Sequence, residues 1–130
     1  MRINWVGYNL DFVRIGAALA FLGIALGAFG THALKTHLSS EMLEVWHTAV
    51  LYQFLHAIAI FVLGLYSKSS GVHTKTPNLL FLSGILLFSG SLYALAVTGI
   101  KPLGAVTPVG GLCFLAGWGL LAVKGVVKAR

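Results

Sequence analysis

Residues 79–100 read LLFLSGILLFSGSLYALAVTGI, and no charged side chain interrupts them. The run is too long for a buried strand. It matches the roughly 20 apolar residues that an α-helix needs to cross a hydrocarbon layer. Nothing in the rest of the chain argues for a water-soluble setting. Of its 130 residues 58% are hydrophobic and 9% charged, against about 25% charged in soluble domains. So few charges cannot cover a soluble fold of this size, and the chain reads as a membrane protein.

Three further segments follow the same pattern. Residues 12–33 (FVRIGAALAFLGIALGAFGTHA), 48–66 (TAVLYQFLHAIAIFVLGLY) and about 108–125, opening PVGGLCFLAGWGLLAV, are each long enough to span. The expected fold is all-α, a four-transmembrane-helix bundle in a single domain over residues 1–130. A short interfacial helical segment is expected between helices 1 and 2. Ser39 or Ser40 suits a helix cap there, and Glu41 and Glu44 would complement the helix dipole. The second helix is expected to start near Ser40 as an amphipathic turn, with a separate interfacial helix as the alternative. Residues 67–78 (SKSSGVHTKTPN) and 101–107 (KPLGAVT) read as polar turns, with Thr107 as an N-cap ahead of Pro108.

Four spans place both termini and the middle loop on one side. That side carries Arg2, Arg14, Lys68, Lys75, Lys124, Lys128 and Arg130, and the other only Lys35 and Lys101. Basic residues favour the cytoplasm, so the reading is a multi-pass protein of the cytoplasmic (inner) membrane with both termini cytoplasmic. A cleaved signal peptide is the competing reading of the first span. Asp11 and the long stretch before the apolar run argue against it. The net charge of +6 comes from scattered residues without a basic cluster, so nucleic acid is not an expected partner.

Small residues set the expected packing. Gly16, Ala20, Gly23, Gly27 and Gly30 recur at steps of four and three and share one helix face, with Gly23 and Gly27 forming a GxxxG pair. Gly110, Cys113 and Gly117 repeat the idea in the last span. Such stripes let backbones approach, chiefly within the bundle. They also allow a homo-oligomer or a larger membrane complex in the lipid bilayer.

The candidate intramembrane polar site is His32, Thr48, Tyr52, Gln53 and His56. Thr48, Tyr52 and His56 are spaced by four, and Gln53 lies three before His56, so all four can meet along one helix. His56 falls about 12 Å into the span at 1.5 Å per residue. Ionisable groups at that depth are costly and count as functional by default. The competing reading is hydrogen-bonding glue, with Ser89, Ser91 or Tyr93 as partners from the third span. His32, His37, His47 and His56 have no ligand-motif spacing, so no metal and no cofactor is expected. The three carboxylates Asp11, Glu41 and Glu44 are interfacial, Asp11 within reach of Arg14. No nucleophile is paired with a base, and no catalytic residue is assigned.

The segments LGAFGTHALKTHL, VWHTAVLYQFLHAIAI, FSGSLYALAVTG and LGAVTPVGGLCFLAGW together resemble a small bacterial integral-membrane family of unknown function related to eukaryotic transmembrane protein 256. The resemblance covers nearly the whole chain. It rests on Gly27, Phe29, Gly30, His32, Thr48, Ala49, Tyr52, Gln53, His56, Thr107, Pro108, Gly110 and Gly111. His37 and His47 fall outside the family pattern, which makes His32 and His56 the pair to follow. The resemblance implies a short multi-spanning protein and supplies no reaction. The expected function is a non-enzymatic packing or accessory component of the membrane or of a membrane complex. The rivals are a small transporter or channel component using Tyr52, Gln53 and His56, and a histidine-based metal- or haem-binding protein.

Overall fold

The computed structural model describes residues 10–126. Arg2, Lys128 and Arg130, which enter the orientation argument, lie outside them. Four long helices follow one another: α1 (Phe12–Leu34), α2 (Ser40–Ser70), α3 (Lys75–Thr98) and α4 (Thr107–Lys124). Among the described residues there is no strand. Each helix is long and apolar enough to cross a membrane. Lipid offers no partner for backbone N–H and C=O groups, so a chain of this composition must satisfy them within helices.

The termini of these helices follow from local chemistry. Asp11 caps α1, its carboxylate accepting from the backbone N–H groups of Val13 and Arg14 at 3.1 and 3.3 Å. Ser39 caps α2 by accepting from Met42 N–H at 3.2 Å, with Glu41 in the first turn. Gly71 and Gly99 close α2 and α3 in the left-handed region at φ 70°, where a side chain would be strained.

Two boundaries differ from the sequence reading and one agrees with it. The second helix begins at Ser40 as expected, and the alternative, a separate interfacial helix, is not what forms. Residues 40–47 are the opening turns of α2, which contain neither glycine nor proline to break them. The helix has 31 residues, so it is about 46 Å long and overshoots the roughly 30 Å hydrocarbon layer. The polar stretch 67–78 is also mostly helical, leaving a short connection at residues 71–74. Thr107 is not an N-cap. Lys101–Ala105 forms a 3-10 turn that delivers the chain into α4 through Val106. Thr107 is then helical, and its hydroxyl pairs with Ser91 Oγ at 2.6 Å.

α2 is the centre of the assembly. α1 packs mainly on α2, α3 packs on both α2 and α4, and α4 packs mainly on α3. Few residues of α1 and α4 are buried, so these two helices form the open edges. Burying leucine gives nothing in lipid, so close backbone approach has to hold the helices together. The α1 stripe lies against α2. Gly16 faces Ala57 and Phe61, Gly23 faces Phe54, Gly27 faces Val50 and Gly30 faces the Trp46 ring. Gly110 lies on the backbone of Leu87 and Phe88 in α3, and Gly117 on the Phe81 ring. Ile60, Leu63, Phe81, Ile85 and Phe114 make the apolar core.

Two π turns interrupt the helices, Leu26–Gly30 in α1 and Ile85–Ser89 in α3. Their extra residue per turn shifts the register against α2. The Leu26 carbonyl accepts from the Trp46 indole at 2.9 Å, and Ser89 Oγ donates to the Ala49 carbonyl at 2.7 Å.

Asp11 also ties the start of α1 to the end of α2. Lys68 Nζ approaches its carboxylate at 3.1 Å and Arg14 Nε at 3.5 Å. Slight burial pushes the Asp11 carboxyl up. The hydrogen bond from Lys68, the Arg14 N–H and the two positive charges outweigh it and hold the group below its ordinary value. A depressed carboxyl contributes stability above its unfolded value and loses it as the pH falls through its folded value. Asp11→Ala is expected to cost about 1 kcal/mol through the lost cap. It should also flatten the fall in melting temperature below about pH 4, measured by thermal unfolding in detergent across pH. An unchanged acid profile would show that the Lys68 tie contributes nothing.

Candidate intramembrane polar site

His56 is 3% exposed, and both of its ring nitrogens are taken. Nδ1 lies 2.8 Å from the Tyr52 carbonyl one turn earlier, and the Trp118 indole N–H donates to Nε2 at 3.0 Å. A carbonyl only accepts and an indole N–H only donates, so the proton sits on Nδ1 and the ring is neutral. Phe114 stacks on the imidazole with centroids 3.6 Å apart and planes 11° apart, and Phe81 closes another side at 5.3 Å. The arrangement joins α2, α3 and α4 in one aromatic layer.

Gln53 is 4% exposed and bridges in the other direction. Its amide nitrogen donates to the Leu19 carbonyl of α1 at 2.9 Å, and its oxygen accepts from the Tyr93 hydroxyl of α3 at 2.7 Å. Tyr93 meets the Trp46 ring edge-on at 4.7 Å. Ser89 and Ser91, considered as His56 partners, are instead bonded to the Ala49 carbonyl and to Thr107.

Of the remaining candidates only Tyr52 joins this pair. Thr48 turns back to the Glu44 carbonyl at 2.9 Å. Tyr52 contributes its carbonyl to His56, and its ring stacks beside Phe88 and Phe114. His32 is exposed at the end of α1. It lies just past Gly30, which sits on Trp46, and His56 is a further 15 Å or so along α2. His47 pairs with Thr31 at 3.0 Å, while His37 is exposed. Among the described residues no three of His, Cys, Asp and Glu gather as metal ligands would.

The sequence reading missed Trp118. The only local signal for it was an indole in the same stripe as Gly110 and Phe114, at steps of four. Tyr93 as the partner of Gln53, and Trp46 as a donor to α1, likewise needed the packing of helices distant in sequence.

Four spanning helices, glycine-mediated packing and polar groups closed on one another define a small integral membrane protein. Residues 26–111 match the family described as protein of unknown function (DUF423), and the chain belongs to it. It is similar to the UPF0382 membrane protein YwdK of Bacillus subtilis, 45% identical over 117 residues that cover 88% of this chain and 95% of that one. It is also similar to the UPF0382 membrane protein SH2409 of Staphylococcus haemolyticus, 40% identical over 113 residues, or 87% and 93% of the two chains. No solved structure matches.

Proposed function

We propose that the chain is a non-enzymatic component of the cytoplasmic membrane. It would act as one four-helix unit with both termini cytoplasmic, packing beside a second copy or within a larger membrane complex. The observation that carries this reading is the pairing of His56 and Gln53 within the chain. Both ring nitrogens of His56 and both ends of the Gln53 amide are taken by groups of the same chain. A proton or solute path would need these groups open to water, so they serve better as glue that fixes helix rotation. A partner or second copy would pack on α1 or α4, the open edges of the bundle. The bias of basic residues toward one end supports the orientation.

Extraction in a mild detergent followed by native mass measurement is expected to give a dimer or a stoichiometric complex. A lone monomer, recovered equally from native lipid and from detergent, would sink the proposal.

A further inference from the structure

α2 and α4 both pack on α3 and make few backbone approaches to each other, which leaves a cleft between them. At the end carrying Lys68 and Lys124, a cavity of about 260 Å³ is lined by His73, Lys75, Thr76, Leu121 and Lys124. At Leu121 it adjoins an almost wholly apolar groove of about 520 Å³, walled by Leu55, Ile58, Val62, Leu63 and Trp118. A basic cavity, or mouth, between the start of α3 and the end of α4 and an apolar groove between α2 and α4 thus lie on either side of Leu121.

Among the described residues no carboxylate pairs with the lysines at the mouth. There are three side-chain carboxylates in the whole sequence. Asp11 is engaged by Lys68 and Arg14, and Glu41 and Glu44 sit at the opposite end of α2. Among the described residues neither Lys75 nor Lys124 has an acidic partner. The dimensions fit one occupant. Along α2 the groove wall from Leu63 back to Leu55 is roughly 12 Å of helix, close to the depth of one leaflet of a 30 Å core.

We propose that this face binds one anionic phospholipid of the adjoining leaflet. Its phosphate sits between Lys75 and Lys124, and one acyl chain lies in the groove past Leu121 to Trp118. Lysine at a membrane surface attracts anionic headgroups by roughly five-fold per residue, and the groove supplies the contact that fixes a single molecule in place. A zwitterionic lipid brings the same phosphate together with a quaternary ammonium, whose positive charge would lie against the lysines and weaken the attraction.

The test is native mass spectrometry of the full chain, extracted with phosphatidylglycerol and phosphatidylcholine in equal amounts. The expected result is one retained phosphatidylglycerol per chain, preferred on the order of ten-fold. Lys75→Gln with Lys124→Gln should abolish the preference, and Lys75→Arg with Lys124→Arg should keep it. Val62→Trp, at a position already 54% exposed, should fill the groove and reduce retention of both lipids. Equal retention of the two lipids by the unaltered chain would overturn the proposal. So would a preference that survives the glutamine pair, or retention untouched by Val62→Trp. Displacement by millimolar inorganic phosphate would also overturn it, since the mouth would then hold phosphate without needing a lipid chain.

Discussion

Gly110→Ala is expected to be among the most damaging single-atom additions in the chain, separating α4 from α3 and costing about 2–3 kcal/mol. A Cβ built there falls onto the Phe88 backbone nitrogen, with the Leu87 carbonyl carbon and Phe88 Cα at 2.8 Å. Those atoms belong to a helix backbone and cannot turn aside as a side chain would. The alternative is for α4 to move outward, which would also loosen the Gly117 contact on Phe81 and the Ser91–Thr107 hydrogen bond. Gly16→Ala should behave similarly between α1 and α2, where the Cβ would meet Phe61 N at 2.6 Å and the Ala57 carbonyl at 2.9 Å. Gly119→Ala is the control, since nothing lies within 4 Å of its added atom. In a helix, alanine is intrinsically the better residue by about 1 kcal/mol. Thermal unfolding in one detergent should therefore lower the melting point for the first two variants and hold or raise it for the third. Equal behaviour of all three would mean that close glycine packing does not hold this bundle together.

The contrast between those glycines shows what the sequence makes legible. The stripe in α1 can be read because its partner face is continuous and the spacing of small residues repeats along one helix. The four spans can be read because lipid demands long apolar helices, and length with charge content is a local property. The π turns cannot be read in the same way. Leu26–Gly30 contains two glycines and Ile85–Ser89 is flanked by Gly84 and Gly90, and both are as apolar as the helices around them. Their extra residue is stabilised by contacts from α2, such as the Trp46 indole on the Leu26 carbonyl.

The candidate site was legible on one helix and illegible across helices. Spacing brought Tyr52, Gln53 and His56 together because all three lie on α2. It could not show that Gln53 turns toward α1 and Tyr93 while His56 turns toward α4. Nor could it show that Thr48 bonds within its own helix, because threonine at a spacing of four can satisfy itself on the preceding turn. His32 resembled a partner for His56 through family pattern alone, and helix geometry separates the two by depth in the membrane.

His56→Ala is expected to cost about 3 kcal/mol, with the size set by the cavity it leaves. The imidazole fills the space between Phe114 and Phe81 and accepts from Trp118. Removing it takes away a stacked ring and the acceptor in one change. A finer experiment separates the two contributions. His56→Phe keeps a ring against Phe114 but cannot accept a hydrogen bond, and Trp118→Phe removes the donor while leaving His56 in place. Trp118→Phe alone leaves Nε2 without its donor in a site where His56 is 3% exposed, at a cost of about 1 kcal/mol. Once His56 is phenylalanine, the second change should add little, because no acceptor remains to be stranded. The cycle of both singles and the double variant should therefore give a coupling of about 0.6–1.7 kcal/mol, the range for interhelical hydrogen bonds in lipid. Additive losses would mean that the indole and imidazole merely lie side by side. A coupling in this range, with unfolding otherwise intact, would make His56 the residue that fixes how α4 rotates against α2.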